Sequence, residues 1–356
     1  MPEPFLTLRG VTKQFGVRAA LDNVDLTLNQ DELLVVLGPT GAGKTTLLRT
    51  IAGLEQPNRG ALAINGQNAL VLSPAERDVA FVFQNFSLYP DLSARKNMEF
   101  PLRAPGRRLD EAAIRERVEW AAALLKISHL LERRATRLSG GEMQRVAIGR
   151  AIVRRPKLFL MDEPLTNLDA KLREALRVEL VALRRELGVP MIYVTHDQAE
   201  ALSMGDRIVV LANGRVLQTG SPEAIYRTPA SPEVARQVGQ PRINLMQLEL
   251  HGETWLTKTG HPLFPRSAGQ PQSPITVGVR PENVRLTGGA HGVSVELVEN
   301  TGPAQVAVFT WGGERVHALL EKGAPLKVGD TVFPHVESGH FTIWAQDSVV
   351  SRAPTT

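Results

Sequence analysis

Two spacings of apolar residues divide the chain. Leu33-Leu-Val-Val-Leu37 and Leu158-Phe-Leu-Met161 are unbroken apolar runs, as expected of strands covered on both faces, while Phe5 to Leu8 alternates like a strand with one wet face. Residues 44–54 carry helical spacing. From Pro156 onward the pattern switches back and forth, predicting a strand at 158–161, a helix at 170–187, a strand at 191–195 and a helix at 198–204. Such alternation predicts an α/β fold with a parallel sheet flanked by helices. Between about 88 and 135 the pattern is α-rich instead. Its longest piece, Leu109 to Leu131, has an acidic start and apolar residues at Ile114, Val118, Ala121, Leu124 and Leu125, and reads as a helix within an insertion.

Beyond Thr228-Pro-Ala-Ser-Pro232 and Gly239-Gln-Pro241 the elements shorten. Ile275 to Val279, Val293 to Val298 and Val306 to Phe309 alternate, with dense glycine and proline between them, so a small barrel-like β-domain is expected from about residue 236 to the end. The chain's 356 residues suffice for two cores. Its 43% hydrophobic and 22% charged content is that of an ordinary globular protein, not a disordered or fibrous one. Cysteine is absent, which excludes disulfides and cysteine-bound metal. No apolar run approaches the roughly 20 residues that a bilayer requires, and no leader precedes Phe5, so the chain is expected to stay in the cytosol. The net charge of +4 gathers at Arg103–Arg108 and Arg133–Arg137 without interleaved aromatics, and is read as solvated helix ends and loops.

Two clusters carry chemistry. Gly38-Pro39-Thr40-Gly41-Ala42-Gly43-Lys44-Thr45, followed by Thr46, fits G-x-x-x-x-G-K-[ST] and lies between a buried strand and a helix. Glycines there let successive backbone N–H groups point at phosphate oxygens, the helix adds its positive end, Lys44 can meet the β/γ-phosphates, and Thr45 can coordinate Mg²⁺. Asp162 and Glu163 sit at the carboxyl end of the second apolar strand, where two acids are costly unless something cationic meets them. Asp162 suits Mg²⁺, and Glu163 suits the proton of an attacking water. These residues define a nucleoside triphosphatase with a phosphate-binding loop.

Leu138-Ser139-Gly140-Gly141-Glu142 opens another helix. Locally, Ser139 with Glu142 forms a capping box. The string also closely resembles the signature motif of ATP-binding cassettes, and the chain is similar nearly end to end to ABC transporter ATPases, in particular the group serving sugar and glycerol-phosphate importers. In the order of that family, Phe15 matches the aromatic that stacks on adenine, and Gln84 the glutamine that touches Mg²⁺ and senses the membrane partner. Residues 165–169, ending in Asp169, resemble the D-loop, and His196 matches the histidine on the γ-phosphate. Gly220–Tyr226 and Gly278–Glu282 are similar to segments that mark the importer group.

The resemblance implies a nucleotide-binding domain over 1–235, with a helical subdomain at about 88–155, and an OB-like (TOBE) regulatory domain over 236–356. It implies ATP and Mg²⁺ as ligands. It also implies a head-to-tail dimer with itself or a paralogous ATPase, in which the Ser139 segment of one subunit closes over the ATP of the other. Two permease subunits would hold the pair at the cytoplasmic face of the inner membrane, with an extracytoplasmic solute-binding protein as indirect partner and no nucleic acid. Three departures stand out. Asp31 occupies a turn where relatives commonly have glycine, Leu88-Tyr-Pro-Asp91 is followed by a basic Arg95-Lys96, and Glu142 replaces the usual glutamine. The rival readings are a cassette that serves DNA repair or translation without a membrane, and a C-terminal domain that is chiefly a regulatory binding module.

Overall fold

The computed structural model describes residues 3–104, 109–266, 274–337, 339–345 and 348–352, so Arg107 and Arg108 of the first basic bunch lie outside the described residues. The chain divides into two compact units, 1–222 and 223–356.

In the first unit, β1 (Leu6–Phe15) pairs antiparallel with β2 (Arg18–Leu28) and with β4 (Arg59–Ile64). The strand between, β3 (Leu33–Leu37), joins a different sheet, and the two-residue β5 (Gln67–Asn68) extends the first. The central sheet adds β6 (Val79–Val82), β7 (Leu158–Asp162), β8 (Met191–Thr195), β9 (Arg207–Ala212) and β10 (Arg215–Gly220), in the order β10-β9-β3-β8-β7-β6. Its strands from β9 to β6 run parallel, and β3, β7 and β8 are buried at every position, as their unbroken apolar runs require. The helix α1 (Lys44–Ala52) packs Leu47, Leu48 and Ile51 into the core that Leu34, Val36, Leu160, Ile192 and Val194 share.

The insertion supplies α2 (Ala94–Glu99), α3 (Glu111–Leu124) and α4 (Gly140–Ile152). The third of these stops short of the expected Leu131. Lys126 turns the chain through φ 58°, and a short 3₁₀ turn then lets Ile127, Leu130 and Leu131 reach the interior, which a continuing helix would have carried around its axis. Then α5 (Ala170–Leu187) buries the stripe Leu176, Leu180 and Leu183, and α6 (Gln198–Met204) follows β8.

One buried cation was not anticipated from the pattern. Arg77, 2% exposed, donates from Nη1 to Thr50 O and Ile51 O, each at 2.8 Å, and so covers carbonyls of the last turn of α1, sharing Thr50 O with the N–H of Gly53.

The second unit packs the proline-rich passage against the strands that follow it. Trp344 Nε1 donates to Pro229 O at 3.1 Å, and the Arg280 guanidinium donates to Tyr226 O and Val238 O. After α7 (Pro222–Arg227) and α8 (Pro232–Arg236) it is built of short antiparallel strands. Residues 244–251, 254–257, 262–265, 275–279, 341–345 and 348–352 form one six-stranded sheet, and 293–300, 304–311, 314–321 and 331–332 a four-stranded one. Both contribute to a core of Met246, Leu248, Trp255, Val277, Phe309, Val316 and Ile343, the OB-like arrangement expected.

Asp31 adopts φ 58° in the turn before β3, the left-handed conformation that glycine takes without steric cost. Asp31→Gly is expected to stabilise the chain by about 0.5 kcal/mol, the relief being partly offset by the freedom of glycine in the unfolded state. A urea midpoint unchanged or lowered would show that the turn is not strained.

Candidate functional site

The carboxyl ends of four parallel strands meet at one edge of the central sheet. From β3 comes the loop Gly38–Thr45, from β7 Asp162 and Glu163, from β8 His196, and from β6 the segment carrying Gln84. Open α/β sheets bind ligands along this edge.

The loop is shaped by its glycines. Gly43 caps α1 at φ 105°, and a Cβ there would lie 2.3 Å from Ala20 O; one on Gly38 would lie 2.1 Å from Leu211 O. Lys44 is 5% exposed, and its ammonium uses all three donors: on Gly38 O at 2.9 Å, on Pro39 O at 3.0 Å and on Glu163 Oε1 at 3.2 Å. The Thr45 hydroxyl donates to Asp162 Oδ1 at 3.0 Å. Arg18, opposite Phe15 in the β1–β2 pairing, brings its Nη2 to 3.6 Å from where a Cβ on Gly41 would stand, so a second cation borders the loop. Phe15 itself is 51% exposed, with Lys13 Nζ 4.9 Å from its ring centre.

The two carboxylates are driven apart by their surroundings. Burial pushes Asp162 above its ordinary range, the Thr45 hydroxyl opposes this in part, and the charge of Glu163 adds to it. Burial also pushes Glu163 up, but the Lys44 charge and hydrogen bond, with His196, outweigh it and hold the carboxyl below its ordinary range. Its Oε2 lies 2.8 Å from His196 Nδ1 and accepts from Thr166 Oγ1 at 3.3 Å. The backbone of Glu163 has φ 44° while its N–H donates to Val194 O, so a residue with a Cβ is held in a costly conformation beside the loop.

Ser139, Gly140, Gly141 and Glu142 stand elsewhere. Ser139 Oγ accepts from Glu142 N at 3.4 Å, and Glu142 Oε2 accepts from Ser139 N at 2.8 Å, so the capping box is formed at the start of α4. That backbone donor, first among several, lowers the Glu142 carboxyl from its usual range. Among the described residues no hydrogen bond or ion pair links 139–142 to the loop 38–45 of the same chain. Asp169 caps α5 through Leu172 N at 2.9 Å.

Several contacts around the site involve residues that the sequence pattern did not single out. Asn167 Nδ2 donates to Gln84 O at 3.0 Å, and Arg150 of α4 donates to Ser87 O at 2.6 Å and Phe86 O at 2.9 Å, just where Phe86 and Ser87 adopt left-handed φ. Arg173 donates to Leu165 O at 3.3 Å and Leu168 O at 3.0 Å. Asn167 lies inside the 165–169 segment already singled out and Arg173 stands one helical turn after Asp169, whereas Arg150 offered no prior signal.

A sequence model described as ABC transporter matches residues 21–166. The chain is 46% identical to the sn-glycerol-3-phosphate import ATP-binding protein UgpC of Jannaschia sp., covering 91% of this chain and 93% of that protein. It is 40% identical to the protein of the same name from Yersinia pseudotuberculosis, over 98% and 99% of the two chains. Among solved structures, the dimeric MJ0796 cassette of a bacterial ABC transporter is 33% identical with a TM-score of 0.55, spanning 61% of this chain and 98% of that one. MJ0796 is also known in a post-hydrolysis dimer bound to ADP and Pi.

Gly43→Ala would press its Cβ onto a backbone carbonyl at a φ that alanine disfavours. It is expected to weaken ATP binding by about tenfold or more in calorimetry; unchanged affinity would mean that the loop shape does not matter to the nucleotide. With relatives this similar over almost its whole length, the chain belongs to the ABC transporter family, as one of its ATP-binding, ATP-hydrolysing subunits.

Proposed function

We propose that this chain powers a solute importer, for sn-glycerol-3-phosphate or a sugar, by hydrolysing ATP within a head-to-tail dimer. The observation that carries the reading is Glu163, an ionised carboxylate fixed between Lys44 and His196 at the mouth of the phosphate loop. Solute class rests on the relatives named for sn-glycerol-3-phosphate import. Nothing in those names favours the reading as a DNA-repair or translation cassette.

On this reading the N–H groups of 38–46, Pro39 having none, hold the phosphates, with Phe15 stacked on adenine. Lys44 exchanges its loop carbonyls and Glu163 for β- and γ-phosphate oxygens. Glu163, released from the ammonium, takes a proton from the water that attacks the γ-phosphorus, the bond to the β–γ bridging oxygen breaks, and ADP leaves with that oxygen. His196 steadies the γ-phosphate. Thr45 Oγ1 and Asp162 Oδ1, a hydroxyl beside a buried acid, fit Mg²⁺, which is held by few protein oxygens and otherwise by phosphates and water, and Gln84 would join them. A bound Mg²⁺ would neutralise charge on the phosphates.

The Ser139–Glu142 helix start of a second copy, or of a paralogous ATPase, completes each site with backbone donors, with Asp169 at the same junction. ATP thus favours the closed pair more than ADP does. Residues around Gln84 to Phe100 pass the change to two permease subunits at the cytoplasmic face of the inner membrane, which an extracytoplasmic binding protein loads with solute. No described helix is long and apolar enough to cross a membrane. The domain beyond the cassette, drawn at 236–356, regulates this cycle.

Glu163→Gln is expected to retain ATP while turnover falls about 10²–10⁴-fold and closed dimers accumulate on size exclusion; near-normal turnover would remove Glu163 from its role. Lys44→Ala should instead weaken ATP binding about 10- to 100-fold, as loss of a charge-assisted hydrogen bond implies, and an unaltered Kd would count against the loop assignment. Uptake into vesicles by the reconstituted complex, scanned over phosphorylated and neutral sugars and polyols, tests the solute class.

A further inference from the structure

Behind His196 lies a buried acid that the reaction itself does not use. Glu200, in the first turn of α6, is 4% exposed, and a carboxylate so placed needs donors. It has two on one oxygen: Thr195 Oγ1 at 2.6 Å and Tyr193 OH at 2.9 Å reach Glu200 Oε2. Both come from β8, the strand that delivers His196.

The Thr195 hydroxyl has a single proton, which goes to Glu200, so its lone pair is left to accept the N–H of Asp197 at 2.9 Å. The direction of the chain is thereby fixed, running from Asp197 N through Thr195 Oγ1 to Glu200 Oε2. Asp197 is anchored a second time, its Oδ1 accepting from Ala199 N at 2.7 Å and Glu200 N at 3.3 Å. His196 is thus the one residue between two anchored neighbours. Its own side chain is 47% exposed and is held by Glu163, 2.8 Å away, so its aim is set by the turn more than by packing. Arg173 lies 3.8 Å from Asp197 and also holds the carbonyls of Leu165 and Leu168, so the stretch just after Glu163 is tied to the same turn.

We propose that Glu200 is a positioning residue: through Thr195 it locks the turn that aims His196 at Glu163. The proposal rests on the roles given above to His196 and Glu163. A plainer role for an acid at this place, stabilising the start of α6, would act on the fold and not through His196. The two differ in whether the effect survives once His196 is gone.

Turnover of the full-length chain tests this. Thr195→Val keeps the shape and removes the hydroxyl; it is expected to lower kcat about tenfold while KM for ATP stays within about twofold. Glu200→Leu should match it. Thr195→Ser and Glu200→Gln, which keep a hydroxyl and an acceptor oxygen, should remain within about threefold of the original chain. In a His196→Ala background, Thr195→Val should cost nothing further, since both changes disable the same group. Equal losses from Thr195→Val with and without His196, or a loss from Thr195→Val that is accompanied by an equal loss from Thr195→Ser, would overturn the proposal, as would a Thr195→Val chain as fast as the original. If His196→Ala is itself as fast as the original, the role of His196 fails and takes the proposal with it. If His196→Ala is slow and Thr195→Val is not, positioning alone fails. Thermal melts of each variant separate lost turnover from lost fold.

Discussion

The Lys44–Glu163 ion pair is the interaction around which the site is organised. Both partners are largely withdrawn from water, and a buried charge without compensation is costly enough to distort or unfold its surroundings. In the chain as it stands, the ammonium is balanced by Glu163 and by two carbonyls of its own loop, so the phosphate-binding surface is prepaid in charge. On the proposed reading a nucleotide displaces one carboxylate oxygen and two neutral loop carbonyls from the ammonium and supplies phosphate oxygens in their place. The same pair explains why Asp162 and Glu163, adjacent in sequence, hold their protons so differently: one faces a hydroxyl and the protein interior, the other a full positive charge.

How much of this could be read in advance depended on how local the cause was. The strands β3, β7 and β8 were legible because burial on both faces leaves an apolar run that no other element of five residues explains, and the phosphate loop because its glycines answer to backbone geometry alone. The helix α3 was drawn too long because periodicity continued past Leu124 in a 3₁₀ turn that buries the same kinds of residue. Arg77, Arg150 and Glu200 were not found. Each matters for a partner distant in sequence or across a turn: Arg77 for the end of α1, Arg150 for the carbonyls of Phe86 and Ser87, Glu200 for the hydroxyls of β8. An unremarkable polar residue becomes informative only when its burial is known.

The loop that follows β6 is held from two sides. Asn167, four residues after Glu163, takes the Gln84 carbonyl, while Arg150 near the end of α4 takes those of Phe86 and Ser87. Three of the four carbonyls from Gln84 to Ser87 are thus gripped by side chains from two different elements, and a displacement of α4 or of the 165–169 segment would be felt along this stretch of backbone. Phe86 and Ser87, at φ 60° and 49°, hold a left-handed conformation that is costly for residues with a Cβ, and the Arg150 contacts help to keep them in it.

The capping box at the start of α4 has a further consequence. Ser139 and Glu142 spend their side chains on each other's backbone, which leaves the N–H groups of Gly140 and Gly141 as the donors that the helix has yet to place. Whatever takes these two donors takes main chain, although the Ser139 and Arg133 side chains stand exposed beside them. A contact made of peptide groups is blind to side-chain identity, so a cell that keeps several subunits with this turn could not tell them apart here. Fidelity of pairing among them has to be written on other faces of the molecule.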